Sequence, residues 1–169
     1  MQRYFLAAYD RGAEPARTAV RNMTLLVEHA RAHGIPVIYS AQPGDQHPHR
    51  RGLLSEFWGT GMTEGVDTEI IPELEPQEGD VVLTKWRYSA FQRTDLRQVL
   101  SHLKRDQLVI AGVYGHMGCQ VTATEAFMHD IQPFLVSDAV AGFSREEHRD
   151  AVDYVAKRCG YVLQTPDVL

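Results

Sequence analysis

The sequence predicts an α/β protein: a three-layer, doubly wound, Rossmann-like parallel sheet with helices on both faces. Three observations carry this prediction. Short apolar runs alternate with amphipathic stretches along the chain, the pattern of a parallel sheet covered on both sides. The runs Asp80-Val81-Val82-Leu83-Thr84 and 107–113 are rich in β-branched residues and end in turn-forming segments. A length of 169 residues, with 44% apolar and 23% charged residues, suits one globular domain with a full core. Crossovers between successive strands should be right-handed.

Taken in order, Met1-Gln2-Arg3-Tyr4-Phe5-Leu6 reads as a loop or the beginning of a helix, with no strand ahead of it. A helix is predicted from about residue 15 to 33, with Pro15 suited to its first turn and Gly34 to its stop. Val20, Met23, Leu26, Val27 and Ala30 mark its buried stripe. Residues 36–41 follow as a strand that ends at Gln42-Pro43-Gly44. The stretch 47–77 is too varied for a linker and too long for a passive loop, so it reads as a structured lid or binding insertion. After the strand at 80–84, Thr94 is expected to cap a helix running through Leu103. The strand at 107–113 leads to a helix over about 119–129, then a short strand at 134–138. Ser144-Arg145-Glu146-Glu147 is a capping box opening a helix that stops at Gly160, and 161–164 is the last strand.

Composition excludes several function classes. A net charge of -5 with no basic stripe argues against a nucleic-acid or membrane-surface binder. No apolar run has the length of a bilayer span, and no secretory leader opens the sequence. The two cysteines, Cys119 and Cys159, lack metal-site spacing, which points to a reducing cytoplasm.

In open α/β sheets, ligands sit beyond the carboxyl ends of the parallel strands. Two such ends stand out here. One delivers Lys85-Trp86-Arg87-Tyr88-Ser89-Ala90-Phe91, and the next delivers Tyr114-Gly115-His116-Met117-Gly118-Cys119 directly into a helix. A lysine at one strand end beside a glycine-rich turn at the next is candidate chemistry.

These segments carry a resemblance, together with Arg51-Gly52-Leu53-Leu54, Phe57-Trp58-Gly59, Gly112-Val113, Asp130-Ile131-Gln132-Pro133-Phe134 and Phe143-Ser144. The sequence resembles the isochorismatase family, within the wider cysteine-hydrolase-like group that includes nicotinamidases, over essentially 1–169. It is most similar to isochorismatases of catecholate-siderophore pathways and to the phenazine-pathway enzyme acting on 2-amino-2-deoxyisochorismate. The resemblance implies hydrolysis of a vinyl ether, releasing pyruvate and a dihydroxylated or amino-hydroxy cyclohexadiene carboxylate. Such a reaction needs a general acid held protonated near neutral pH, to protonate the enol-ether carbon before water attacks. It needs no cofactor and no nucleophile. The position where thiol hydrolases of the group carry cysteine is Gly118 here, and Cys119 lies one residue later.

The resemblance also assigns the site. Lys85 is expected to act electrostatically near the acid and a substrate carboxylate, and Gln42 and Arg51 match substrate-binding positions. Trp58, Tyr4 and Phe5 would form an apolar wall, Tyr114 would offer a hydroxyl, and Gly118 would give room and an amide near a helix start. Trp86 and Arg87 are expected to be structural or interface residues, contributing with the last helix to a homodimer. The acid itself is an aspartate that ends the family's first strand, and the pair after it matches Met1-Gln2. Strand and acid would then lie just before Met1, making this a single, N-terminally incomplete domain of a longer polypeptide. Asp10 lies too far into the following loop to replace the acid.

Three other readings follow from the same residues. Asp45, His47 and His49 alternate as nicotinamidase metal ligands do, but in a proline-containing loop and in a branch that uses no metal. Cys119 as a nucleophile would need to occupy position 118. A non-catalytic binding or assembly domain is the alternative to the enzyme; siderophore-branch relatives can carry a fused aryl carrier domain, which would begin where this sequence stops at Leu169.

Overall fold

The computed structural model describes residues 1–9 and 14–169, so Asp10 falls outside the described residues. The helices are α1 (Arg3–Leu6), α2 (Ala16–Ala32), α3 (Pro48–Arg51), α4 (Leu54–Trp58), α5 (Leu96–His102), α6 (Gln120–Met128), α7 (Arg145–Arg158) and α8 (Thr165–Val168). The strands are β1 (Ile38–Ala41), β2 (Val81–Thr84), β3 (Gln107–Val113), β4 (Gln132–Ala141) and β5 (Tyr161–Leu163). Every strand pairing is parallel, as alternation of strands and helices requires.

The strands fall into two ladders, β1-β2 and β3-β4-β5. On one face α2 packs Ala19, Met23 and Leu26 against Tyr39 of β1 and Val136, Ala139 and Ala141 of β4. On the other, α5 packs Leu96 and Leu100 with Leu83 and Ala126, while α6 and α7 bring Ala123 and Val155 onto Ile110, Leu135 and Val140. The three predicted layers are therefore present.

Local chemistry accounts for the element ends. Asn22, buried on α2, donates from Nδ2 to the Asp138 carbonyl at 2.8 Å, tying the helix to β4. The Asp138 carboxylate accepts from Thr165 N and Oγ1 at 2.8 and 2.9 Å and anchors α8. Ser144 Oγ accepts from Glu147 N at 3.1 Å and donates to the Glu147 carboxylate, so the box at α7 bonds through the side chains rather than back to the Ser144 amide. Thr94 Oγ1 accepts from Leu96 N at 3.2 Å, and α5 starts there, later than the sequence suggested. β4 continues three residues past the expected end, through Ala139-Val140-Ala141, because small apolar residues there are buried on both faces.

A slot separates the two ladders. Among the described residues β1 pairs only with β2 and β3 only with β4, and their free edges line a cavity of about 700 Å³. Met23, Leu26, Val27 and Ala30 of α2 line it, as do Leu96 and Leu100 of α5. Val27 and Ala30 of the predicted stripe are consequently only partly buried, and Val109 in the middle of β3 is 49% exposed. An apolar side chain inside a parallel sheet is normally covered, and here the slot leaves it open.

A candidate active site at the head of the slot

The carboxyl ends of β1, β2 and β3 meet at one end of the slot. Beyond β2 the ladder continues for one more bond, Lys85 N donating to Ala41 O at 2.8 Å, and this delivers the lysine side chain inward. Beyond β3, Tyr114 leads into a π-helical turn, Gly115–Cys119, before α6. The Cys119 amide reaches back five residues to Tyr114 O at 3.3 Å, which widens the turn as such bulges do near sites. Thr122 holds the turn to the Lys85 segment, donating to Gly118 O at 2.6 Å and accepting from Ala90 N at 3.0 Å.

All eight residues singled out from the sequence line this one cavity: Tyr4, Phe5, Gln42, Arg51, Trp58, Lys85, Tyr114 and Gly118. Lys85 Nζ lies 3.9 Å from where a Cβ on Gly118 would stand, a contact an alanine could tolerate, so the glycine leaves space beside the ammonium. Among the described residues no carboxylate is ion-paired with Lys85, and none of those lining the cavity is an aspartate or glutamate. Burial pulls the Lys85 pKa down to about 8, opposed by the nearby Cys119 sulfur.

Other polar groups are already partly engaged. The Arg51 side chain is buried and donates from Nε to Gly59 O at 2.5 Å and from Nη2 to Trp58 O at 3.4 Å. Among the described residues Nη1 makes no hydrogen bond, and Gly61 packs beside it, where a Cβ would stand 2.5 Å away. Gln42 Oε1 accepts from Gln46 at 3.3 Å, which leaves its amide group to donate. The Tyr114 hydroxyl was expected to reach a ligand; it donates to Phe5 O at 3.2 Å, so it is left to accept from one. Gln2 was not singled out, yet its buried amide grips the Gln42 backbone, donating to Gln42 O at 2.7 Å and accepting from Gln42 N at 2.8 Å.

Aromatic rings make a continuous wall. Tyr4 meets Phe5 edge-on at 5.3 Å, Phe5 meets Tyr114 at 5.7 Å, Tyr114 meets Phe143 at 4.3 Å, and Phe143 meets Trp58 at 6.4 Å. Phe143 and Tyr88 line the cavity and were missed as site residues. Phe143 lies just past the carboxyl end of β4, so the strand-end rule could have found it. The site thus combines fixed cations, amide donors and a water-excluding wall, an environment that holds an anion and shields a reactive cation.

Two other sequence candidates do other work. His47 Nδ1 accepts from His49 N at 3.3 Å, and Asp45 Oδ2 accepts from Glu64 N at 3.3 Å, so these groups shape their loop. Among the described residues, no cluster of three or more His, Cys, Asp or Glu converges as a metal site. Cys119 is buried, and burial pushes its thiol up to about 11 against the pull of Lys85 and the Met1 amine. A thiol so high is protonated and unreactive at neutral pH. Iodoacetamide at pH 8 is therefore expected to leave Cys119 unmodified in the folded protein, read by peptide mass. Rapid alkylation there would overturn this.

Comparison with known proteins agrees on the family. The isochorismatase domain model matches residues 1–167. The chain is 49% identical over its whole length to an isochorismatase of Bacillus subtilis, covering 54% of that protein. It is 44% identical to enterobactin synthase component B of Escherichia coli, covering 60% of it. Identity to the phenazine biosynthesis protein PhzD of Pseudomonas fluorescens is 46%, with all of this chain and 81% of that protein aligned. The chain thus spans little more than half the length of the first two. A cysteine hydrolase structure from Pseudomonas syringae superposes with a TM-score of 0.87 at 24% identity, over 99% of this chain and 86% of that one, a likeness of fold alone.

Proposed function

The chain belongs to the isochorismatase family, and from that premise we propose that it hydrolyses the vinyl ether of isochorismate or of 2-amino-2-deoxyisochorismate. The observation that carries the reading is the gathering of Lys85, Arg51 and Gln42 at one cavity head walled by aromatic rings. Arg51 and Lys85 would hold the substrate carboxylates, and the Gln42 amide would orient the ring. Protonation of the terminal vinyl carbon makes a methyl group and an oxocarbenium ion. Water adds to that ion, and the hemiketal collapses to pyruvate and the ring alcohol. Tyr114, Phe5, Phe143 and Trp58 would keep bulk water from the cation.

The proton requires a carboxylic acid next to Lys85, and none of the described residues lining the cavity is one. We place the acid at the carboxyl end of an extended segment lying in the slot between β1 and β3. Two features support this: the free edges of those strands, and Met1 lining the same cavity. The alternative, a binding or assembly domain without turnover, is favoured for any form in which the slot stays open.

The test is pyruvate release by a form carrying an aspartate-ended strand ahead of Met1, followed with lactate dehydrogenase, from each substrate and from both in competition. Pyruvate from either supports the reading, the ratio of kcat/KM values assigns the substrate, and pyruvate from neither removes the hypothesis. A pathway making a siderophore or a phenazine-like product, in a reducing cytoplasm, is the setting proposed. A homodimer is the expected assembly, and light scattering showing only monomer at micromolar concentration would contradict it.

A further inference from the structure

We propose that Arg87 is a positioning residue that sets Arg51 in the site by latching the loop 45–62 to the strand end that carries Lys85; this rests on the reading of Arg51 as a carboxylate ligand. The base of the loop is closed. Asp45 N donates to Met62 O at 3.0 Å and Gly44 N to Glu64 Oε2 at 3.0 Å, an Ω-loop closure. A Cβ on Gly44 would lie 2.4 Å from Glu64 N, so only glycine permits the approach.

Above that base the loop has little core of its own. No residue of α4 is buried, and Leu53 and Phe57 are 70% and 76% exposed. Among the described residues only two hydrogen bonds join 47–60 to the rest of the protein. Arg87 Nη1 donates to Arg50 O at 2.9 Å, and Trp58 Nε1 donates to Tyr88 OH at 2.6 Å. The Arg50 guanidinium also lies 5.4 Å from the Trp86 ring centroid. Three consecutive residues after Lys85 thus hold the loop, and Arg87 grips the carbonyl immediately before Arg51.

The geometry makes Arg87 a bridge. The same Nη1 donates to Trp86 O at 2.7 Å, fixing the guanidinium to its own strand end while it holds Arg50 O. A Cβ on Gly52, whose φ is +57°, would stand 3.0 Å from Arg87 Nη2, so Arg87 packs tightly against the end of the α3 turn. The separation of the two anion-holding cations, Lys85 and Arg51, is therefore set through Arg87.

The experiment uses the 169-residue chain, benzoate as a ring-carboxylate probe with benzamide as its neutral control, and calorimetric titration. Hydrogen exchange over 47–60 and the thermal midpoint are measured on the same samples. Arg87→Met is expected to weaken benzoate about tenfold or more. It should also speed exchange in 47–60 while leaving β3 and β4 unchanged. Arg87→Lys keeps a long side-chain donor for Arg50 O and is expected to stay within about threefold of the parent, with loop exchange near the parent's. Benzoate affinity or loop exchange unaltered in Arg87→Met overturns the proposal, weakened benzoate with unaltered loop exchange meaning direct charge contact with the anion; Arg87→Lys exchanging as fast over 47–60 as Arg87→Met overturns it too. Arg51→Gln separates the two levels: if it binds benzoate as well as the parent, the carboxylate reading of Arg51 has failed, and Arg87 has nothing to position.

Discussion

An apolar strand joined ahead of Met1 and ending in aspartate is expected to give turnover, whereas the same strand ending in asparagine is expected to fold equally well and stay inactive. Strand docking depends on backbone donors and acceptors and on apolar side chains. The free edges of β1 and β3 and the slot faces of α2 and α5 supply the matching half. Each ladder bond adds about 1 kcal/mol net, and apolar burial adds about 25 cal/mol per Å². Both strands should therefore raise the thermal midpoint alike. Protonating a vinyl carbon is different, because asparagine keeps the size and most hydrogen bonds yet cannot deliver a proton. A positioned general acid contributes about 10²–10⁴-fold, and that ratio in kcat is expected between the two forms. The apolar slot and an adjacent substrate carboxylate would disfavour the ionised aspartate and keep it an acid, against the opposing pull of Lys85. Equal turnover from the asparagine form would remove the acid and return Cys119 and the His47–His49 loop as candidates.

Lys85→Met is expected to lower kcat/KM of the aspartate-bearing form by about 10²–10³, the usual cost of losing one preorganised electrostatic contact. Its effect on stability has the opposite sign. In the folded chain burial holds the Lys85 pKa at about 8, below its ordinary 10.5. The folded state therefore carries a penalty for the charged lysine that is full below pH 8. Between about 8 and 10.5 the unfolded chain binds more protons, so stability rises with pH and the penalty is relieved. Thermal unfolding of the 169-residue chain should show this rise, and Lys85→Met should remove it while unfolding no earlier at pH 7. A methionine variant that unfolds markedly earlier at pH 7 would make Lys85 a packing residue instead.

Much of this site was legible because parallel strands announce both themselves and their ends. The run Val81-Val82-Leu83 ends at Lys85, and 107–113 ends at Tyr114, so the strand-end rule alone pointed at the two elements that face each other across Gly118. The slot was legible in a different way. The resemblance places a strand ahead of Met1, and the free edges of β1 and β3 suit the proposal that such a segment lies between them.

What sequence reasoning missed depends on contacts between distant residues. Nothing local marks the Trp58 indole as a donor to the hydroxyl of Tyr88, 30 positions on. Nor does anything local mark Gln2 as the clamp on Gln42, 40 positions away. Arg87 was expected to be a structural or interface residue, but its partner could not be named, because that partner is a carbonyl, Arg50 O, and backbone acceptors leave no trace in a sequence. The far half of β4 was read short because Ala139-Val140-Ala141 has small residues where strands usually carry branched ones; burial on both faces decided it.

The most direct test of vinyl-ether hydrolysis is the fate of solvent atoms during turnover by the aspartate-bearing form. Hydrolysis in heavy-oxygen water, and separately in deuterium oxide with early quenching, is read by mass spectrometry of both products. Protonation at carbon followed by water attack on the oxocarbenium ion predicts a ring alcohol free of solvent oxygen, and pyruvate whose methyl group has gained one deuterium. Solvent oxygen in the ring hydroxyl would place the attack on the ring carbon and contradict the mechanism.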